Sequence, residues 1–163
     1  TFKDAWATMA AQEIRLSGQG RVINDLKAVV EAQPALAALN DELKQQAGEM
    51  NIQDRVVFTG MRRDIPRLLT AFDLFCMPSY LEGLCNSVLE AFAMKLPVVA
   101  TRAGGLPEIV RHEETGLLTP PHDPPSLAAA MVRVLSDRTL ASTMGEAGHR
   151  LFTNALESTG WLS

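Results

Sequence analysis

Two short apolar runs, with a helix-length segment between them, constrain this chain more than any other feature. Leu74, Phe75, Cys76 and Met77 form the first run, stopped by Pro78; Pro97–Ala100 is the second, and it leads to Gly104-Gly105. Apolar runs this short, bounded by turn residues, read as buried strands. Between them comes a polar, glycine-containing turn, Ser79–Cys85. Ser87–Met94 follows, with Val88, Leu89, Phe92 and Ala93 at helical spacing. Strand, loop, helix, strand is a βαβ unit, and its two strands run parallel. Ligands of open parallel sheets bind at the loops leaving the strands' carboxyl ends. Function is therefore expected within Pro78–Glu108.

Two carboxylates fall in that loop and helix, Glu82 and Glu90. Glu82 precedes the helix and Glu90 lies near its start, so the pair can face one cleft at two depths. Backbone N–H groups around Leu84–Val88 lack partners at a helix start and can receive an anion such as phosphate. Two carboxylate acceptors beside a phosphate cradle suit a ligand that carries phosphate and several hydroxyls, as a nucleotide-sugar does. Glu90 also has a purely structural reading. Ser87-Val88-Leu89-Glu90 matches the S-x-x-E capping box, in which the glutamate reaches back to the cap N–H. On spacing alone the cap is favoured, and Glu82 alone would be a solvated loop acid.

The segment is similar to the C-terminal, donor-binding half of retaining GT-B glycosyltransferases of the group 1 (family 4) type. That family carries E-x7-E within a run like EGFG-x-x-x-LEAMA-x-G-x-PVVA-x-x-x-GG-x-PEIV. Here it stands as Glu82-Gly83-Leu84-Cys85, Leu89-Glu90-Ala91-Phe92-Ala93, Leu96-Pro97-Val98-Val99-Ala100, Gly104-Gly105 and Pro107-Glu108-Ile109-Val110. The resemblance covers roughly Asp41–Phe152. It implies that Glu90 accepts hydrogen bonds from ribose hydroxyls and that Glu82 contacts the transferred sugar. It implies that the backbone at Gly83, Leu84 and Cys85 closes on the ligand, with Asn86 and Ser87 donating to phosphate. Met61, after the run ending at Gly60, would hold the nucleotide base by its backbone, and Arg62 would add positive charge. The other readings of these residues are ordinary ones: a turn glycine, helix-capping polar groups and a solvated arginine turn. Cys85 replaces a common glycine of the family.

The same resemblance implies sugar transfer from a nucleoside-diphosphate sugar to a saccharide or lipid-linked acceptor, with retention and without a cofactor or a required metal. The acceptor-binding half lies outside the chain, so the isolated chain is expected to be incomplete and inactive alone. Two departures favour an alternative, a non-catalytic remnant or interaction module that keeps the fold. The family's glycine-rich loop is missing between the helical segments near Pro34. The phosphate-binding Arg and Lys-Gly have Arg15 and Gln19-Gly20 as their nearest match, and glutamine cannot offset a phosphate charge.

Composition sets the outer limits. At 163 residues the length suits one domain, and 47% hydrophobic content supplies a core. A net charge of −4 argues against general nucleic-acid binding. No apolar run reaches the roughly 18 residues of a membrane span. The two cysteines, Cys76 and Cys85, fit a reduced, cytoplasmic protein, with the inner membrane face as a family-level expectation. His112, His122 and His149 show no metal-ligand spacing. Paired acids also occur in glycosidases, but the strand-loop-helix setting makes that the weaker candidate.

The expected fold is α/β, a parallel Rossmann-like sheet with helices on both faces, the half of a GT-B fold. Residues 1–40 form a poorly matched helical segment, 41–155 the nucleotide-sugar domain, and 156–163 a tail. Helices are expected at Ala5–Leu16, Asp25–Ala32, Ala35–Met50, Ile65–Phe72, Leu106–Arg111, Pro125–Leu135 and Arg138 to about Ala155. Beyond the two central runs, Val56–Thr59 reads as a strand, and Gly116–Thr119 as a weaker one.

Overall fold

The computed structural model describes residues 40–60, 62–79 and 86–158. The expected helices before residue 40, apart from the end of the Ala35–Met50 helix, lie outside the described residues. The chain divides into two compact units that meet in sequence at Arg63 and Asp64.

In the first unit residues 40–49 are helical (α1). Ala47 is its buried residue, whereas Leu43, four residues earlier on the same helix face, is 45% exposed. Asn51 ends the helix in the left-handed conformation at φ 54°. The Ile52 N–H bonds the Ala47 carbonyl at 2.9 Å and the Asn51 N–H the Gly48 carbonyl at 3.0 Å, the paired bonds of a Schellman cap. A 3₁₀ turn, Gln53–Arg55, follows. The expected strand Val56–Thr59 is not one: residues 56–60 are irregular and Val57 is 83% exposed. Val56 and Phe58 are half-buried and Val57 and Thr59 exposed, the alternation of an extended chain. An apolar, alternating run becomes a strand only where a neighbour takes up its hydrogen bonds.

The second unit contains α2 (Ile65–Leu69), β1 (Phe75–Met77), α3 (Asn86–Ala93), β2 (Val98–Thr101), α4 (Leu106–Ile109), β3 (Gly116–Thr119), α5 (Pro124–Ser136) and α6 (Arg138–Ser158). Helix α2 is shorter than expected, and single turns carry the chain on to Phe72. Asp64 begins it through its carbonyl, which accepts from the Leu68 N–H at 3.0 Å, rather than through a side-chain cap. The three strands are parallel in the order β1-β2-β3, with Phe75 opposite Val98 and Val98 opposite Gly116. β3, the weakest strand in sequence, is buried throughout, as is β2.

Alternation along the strands builds two cores. Val98, Ala100 and Leu118 pack with Val88, Leu89, Ala91 and Phe92 of α3 and with Leu106 and Ile109 of α4. Val99 and Leu117 point the other way, into Val134 of α5 and Met144 of α6, with Leu127, Ala130 and Met131 beside them. Leu135, next to buried Val134 on α5, is 51% exposed. Helices thus cover both faces. Helix α6 serves both cores, through Leu140 and Met144 on one side and Leu151, Phe152 and Leu156 on the other. Residues Leu156–Ser158, expected in a loose tail, complete this helix.

Helix α6 also holds the end of α3. A Cβ on Gly145 would meet the Lys95 carbonyl oxygen at 2.1 Å, and one on Gly148 the Phe92 ring at 2.4 Å. The ring Nδ1 of His149 lies 3.1 Å from the Ala93 carbonyl and 3.3 Å from that of Phe92. Carbonyls only accept, so Nδ1 carries the proton. Lys95, left-handed at φ 59°, closes α3 where the family pattern has glycine, and its ammonium meets Glu146 at 2.9 Å. That hydrogen bond holds the Glu146 carboxyl below the usual range.

Asp123 caps α5, accepting from the Ser126 hydroxyl at 2.5 Å and the Ser126 N–H at 3.1 Å. These bonds hold its carboxyl below the usual range. A carboxyl depressed in the folded state contributes stability that is complete above the unfolded carboxylate range and lost as pH falls through the folded value. Asp123→Ala should therefore have a lower Tm near neutral pH and lose less of it in acid. Matching acid profiles for variant and parent would contradict the cap. Gly148→Ala should destabilise by about 1–3 kcal/mol in urea unfolding, because the Phe92 ring has to move. A neutral result would show that the two helices are not in contact there.

Candidate functional site

The parallel register brings three strand ends to one edge. Met77 pairs with Ala100, and Thr101 with Thr119. After β1, Pro78 has no N–H to extend the ladder. After β2, the Arg102 N–H donates to the Thr119 carbonyl at 2.7 Å and the Ala103 N–H turns back to the Thr101 carbonyl at 2.9 Å. Gly104, at φ 53°, makes the turn into α4. The Thr101 hydroxyl donates to the Ser79 carbonyl, and the Ser79 hydroxyl to the Met77 sulfur at 3.3 Å, so the ends of β1 and β2 are joined.

Helix α3 starts at this edge. Val88, Leu89, Ala91 and Phe92 are buried, which fixes the face turned to the sheet. Asn86 and Glu90, one turn apart, are exposed on the opposite face, and Ser87 is half-buried. A helix leaves the N–H groups of its first turn without partners inside the helix, and their dipoles make this end partly positive. No acid lies in that first turn. The edge therefore offers amide donors suited to an anion and, one turn on, a carboxylate suited to hydroxyls.

The structure decides the capping question. Because α3 begins at Asn86, Ser87 lies inside the helix rather than before it. Ser87 to Glu90 is then not a capping box, and the structural reading of Glu90 is corrected. Of the other residues singled out in the sequence, Glu82, Gly83, Leu84, Cys85 and Met61 lie outside the described residues. Arg62 is exposed, in the first unit. The bond from Thr101 to Ser79 was not legible, because nothing in the sequence links that hydroxyl to a carbonyl 22 positions away. Cys76 is half-buried, and burial pushes its thiol pKa up, so it holds its proton near neutral pH. Among the described residues no group of three His, Cys, Asp or Glu could hold a metal ion, and no helix is long and apolar enough to cross a membrane. A hollow of ≈ 470 Å³ beside Asp73, Val134, Leu135, Arg138 and Ala141 lies at the opposite, amino edge of the sheet. It does not belong to this site.

Residues 5–137 match the family model of the group 1 glycosyl transferases. The chain belongs to that family. The N-acetyl-alpha-D-glucosaminyl L-malate synthase of Bacillus anthracis is 35% identical over 102 residues, which are 63% of this chain and 27% of that protein. The UDP-Gal:alpha-D-GlcNAc-diphosphoundecaprenol alpha-1,3-galactosyltransferase of Escherichia coli is 35% identical over 102 residues, 63% of this chain and 26% of that protein. Among solved structures, Anabaena Alr3699/HepE in complex with UDP superposes with a TM-score of 0.67 at 29% identity, covering 75% of this chain and 35% of that one. The group 1 chain thus has an α/β, Rossmann-like half of a GT-B fold, and spans about a quarter of the length of these curated relatives.

Glu90→Ala should cost less than about 1 kcal/mol in urea unfolding, as for an exposed residue outside a cap. A loss above about 1 kcal/mol would restore the capping role.

Proposed function

We propose that this chain is the donor-binding part of a retaining glycosyltransferase. The enzyme would transfer a sugar from a nucleoside-diphosphate sugar to a saccharide or lipid-linked acceptor. The observation that carries the reading is the exposed start of α3 at the carboxyl edge of a parallel sheet, with Asn86, Ser87 and Glu90 on its first two turns. Membership in the group 1 family supports it, as does the relative described in complex with UDP.

In this reading Glu90 accepts from the ribose hydroxyls and Glu82 from hydroxyls of the transferred sugar, setting the anomeric carbon in place. The backbone of Gly83, Leu84 and Cys85, with Asn86 and Ser87, receives the diphosphate. Met61 borders the base and Arg62 adds positive charge. As the bond from the anomeric carbon to the diphosphate oxygen breaks, its electron pair leaves with the diphosphate. Amide donors fixed at a helix start stabilise that growing charge without reorganising. The donor is the only small molecule this scheme requires, and it names no metal ligand. The acceptor would be held by a second domain, because family enzymes work in the cleft between two. Turnover is therefore expected to need that domain. Work on lipid-linked or polysaccharide acceptors would place the protein in the cytoplasm, at the inner membrane face.

Titration calorimetry with UDP, GDP and their sugars tests the reading. One nucleotide should give saturable heat, and Glu90→Ala should weaken it by roughly tenfold, the loss of a charged hydrogen bond. Absence of heat with every nucleotide would favour the non-catalytic remnant, which the glutamine at position 19 also favours.

A further inference from the structure

We infer that Arg102 contacts the donor diphosphate and supplies the full positive charge that the start of α3 lacks. This rests on the donor-site reading above. It adds a residue at the end of β2, at a position that the family pattern leaves open.

Strand alternation places Arg102. Val98 and Ala100 share the core covered by α3 and α4, and Val99 faces the other core. Residue 102 continues the first series, because its N–H still extends the ladder and donates to the Thr119 carbonyl at 2.7 Å. It therefore stands on the α3 face, about 6.6 Å beyond Ala100 toward the carboxyl edge. Helix α3 runs back along that face toward the amino edge, as the crossover between two parallel strands requires. Its Val88 and Leu89 pack in the same core as Ala100. Asn86 lies about 3–4.5 Å nearer the carboxyl edge than they do, at the helical rise of about 1.5 Å per residue. Arg102 and the start of α3 are thus level with each other on one face of the sheet.

The chain holds this cation in place without using it. The Ala103 N–H turns back to the Thr101 carbonyl at 2.9 Å, a three-residue turn with Arg102 at its centre. With the bond to Thr119, the backbone of Arg102 is fixed on both sides. Its side chain is exposed, and no carboxylate of the described residues pairs with it. Other cations of this unit are committed, Lys95 to Glu146, Arg111 to Glu114 and Arg133 to Glu113.

A diphosphate at α3 calls for such a group. A helix start carries roughly half a positive charge, whereas a sugar diphosphate carries a full negative charge on each phosphoryl group. Helix α3 has no basic residue, and Glu90 adds a negative charge one turn on. A guanidinium is always protonated and can give two parallel N–H bonds to phosphoryl oxygens. Its hold would tighten as the bond to the anomeric carbon breaks and the electron pair passes to the diphosphate.

The test titrates the full chain and its Arg102→Ala and Arg102→Lys variants with UDP, GDP, uridine and guanosine by calorimetry. Arg102 is exposed, so both variants should fold, and urea unfolding checks that they do. Affinity for the bound nucleotide should be roughly tenfold weaker in the alanine variant, the loss of a charged hydrogen bond, with lysine in between. Affinity for the nucleoside should not change, and the parent's nucleotide affinity should fall more steeply with salt than the alanine variant's. Equal nucleotide affinity in parent and alanine variant overturns the inference and leaves the donor reading standing. An equal loss for nucleoside and nucleotide also overturns it, because that marks a structural role. If the parent binds neither nucleotide, the donor reading fails on its own. Titration with inorganic pyrophosphate then decides the inference by NMR. A saturable shift of the Arg102 Nε–H together with the Asn86 amide upholds it, and an unchanged Nε–H signal refutes it.

Discussion

The parallel pairing of Val98–Thr101 between two neighbours is the constraint on which the rest of this structure depends. A strand with a partner on each side and helices on each face has nowhere to place a polar side chain except at its ends. Val98, Val99 and Ala100 are accordingly fully buried, and the first polar side chain, Thr101, comes where the strand stops. Parallel pairing puts every strand's carboxyl end on the same edge, so the polar residues that end the strands gather there. Burial of a valine contributes roughly 1.5–3 kcal/mol, and two of them on opposite faces of β2 tie the two cores together. Helix α6 reinforces the same arrangement. It crosses close to the end of α3 at Gly145 and Gly148, and its His149 and Glu146 engage the turn that closes α3. With one end of α3 held in this way and its apolar face against the sheet, its other end is directed to the carboxyl edge.

In the proposed reading, that geometry lets a small parallel sheet turn amide dipoles toward a phosphorylated ligand. The amide dipoles of a helix start supply partial positive charge, and the strand ends supply a rigid rim. Exposed Asn86 and Glu90 add side chains whose orientation follows from the buried Val88 and Phe92 on the other side of the helix.

Much of this was legible in sequence, for identifiable reasons. The Leu74 and Pro97 runs have one feasible fate, buried strands, and the helical spacing of Val88, Leu89 and Phe92 fixes the face of α3. Asp137 marks a helix start, because its side chain bonds the amides of Thr139 and Leu140, whereas the cap at Asp123 was hidden in a proline-rich stretch that read as an extended connection. Other features depend on contacts that sequence spacing does not specify. Val56–Thr59 alternates like a strand yet forms no ladder with the described residues, because pairing is decided by a neighbour and not by the run itself. Gly116–Thr119 looked weak because it is short, yet β2 beside it and the helices around it bury it completely. Asn86 and Ser87 are both good residues for a helix start, so spacing alone placed the start at the wrong one. The Glu90 cap reading followed from that choice. The join between Thr101 and Ser79 arises only when two distant strand ends meet.

The most direct measurement is a backbone NMR titration of the chain with UDP and with GDP, read residue by residue. The account predicts that the amides of Asn86, Ser87 and Val88, with those of the strand ends near Arg102 and Gly104, shift together and saturate with one nucleotide. Shifts centred instead on Asp73, Leu135 and Arg138, at the amino edge of the sheet, would contradict it, and so would a spectrum that neither nucleotide changes.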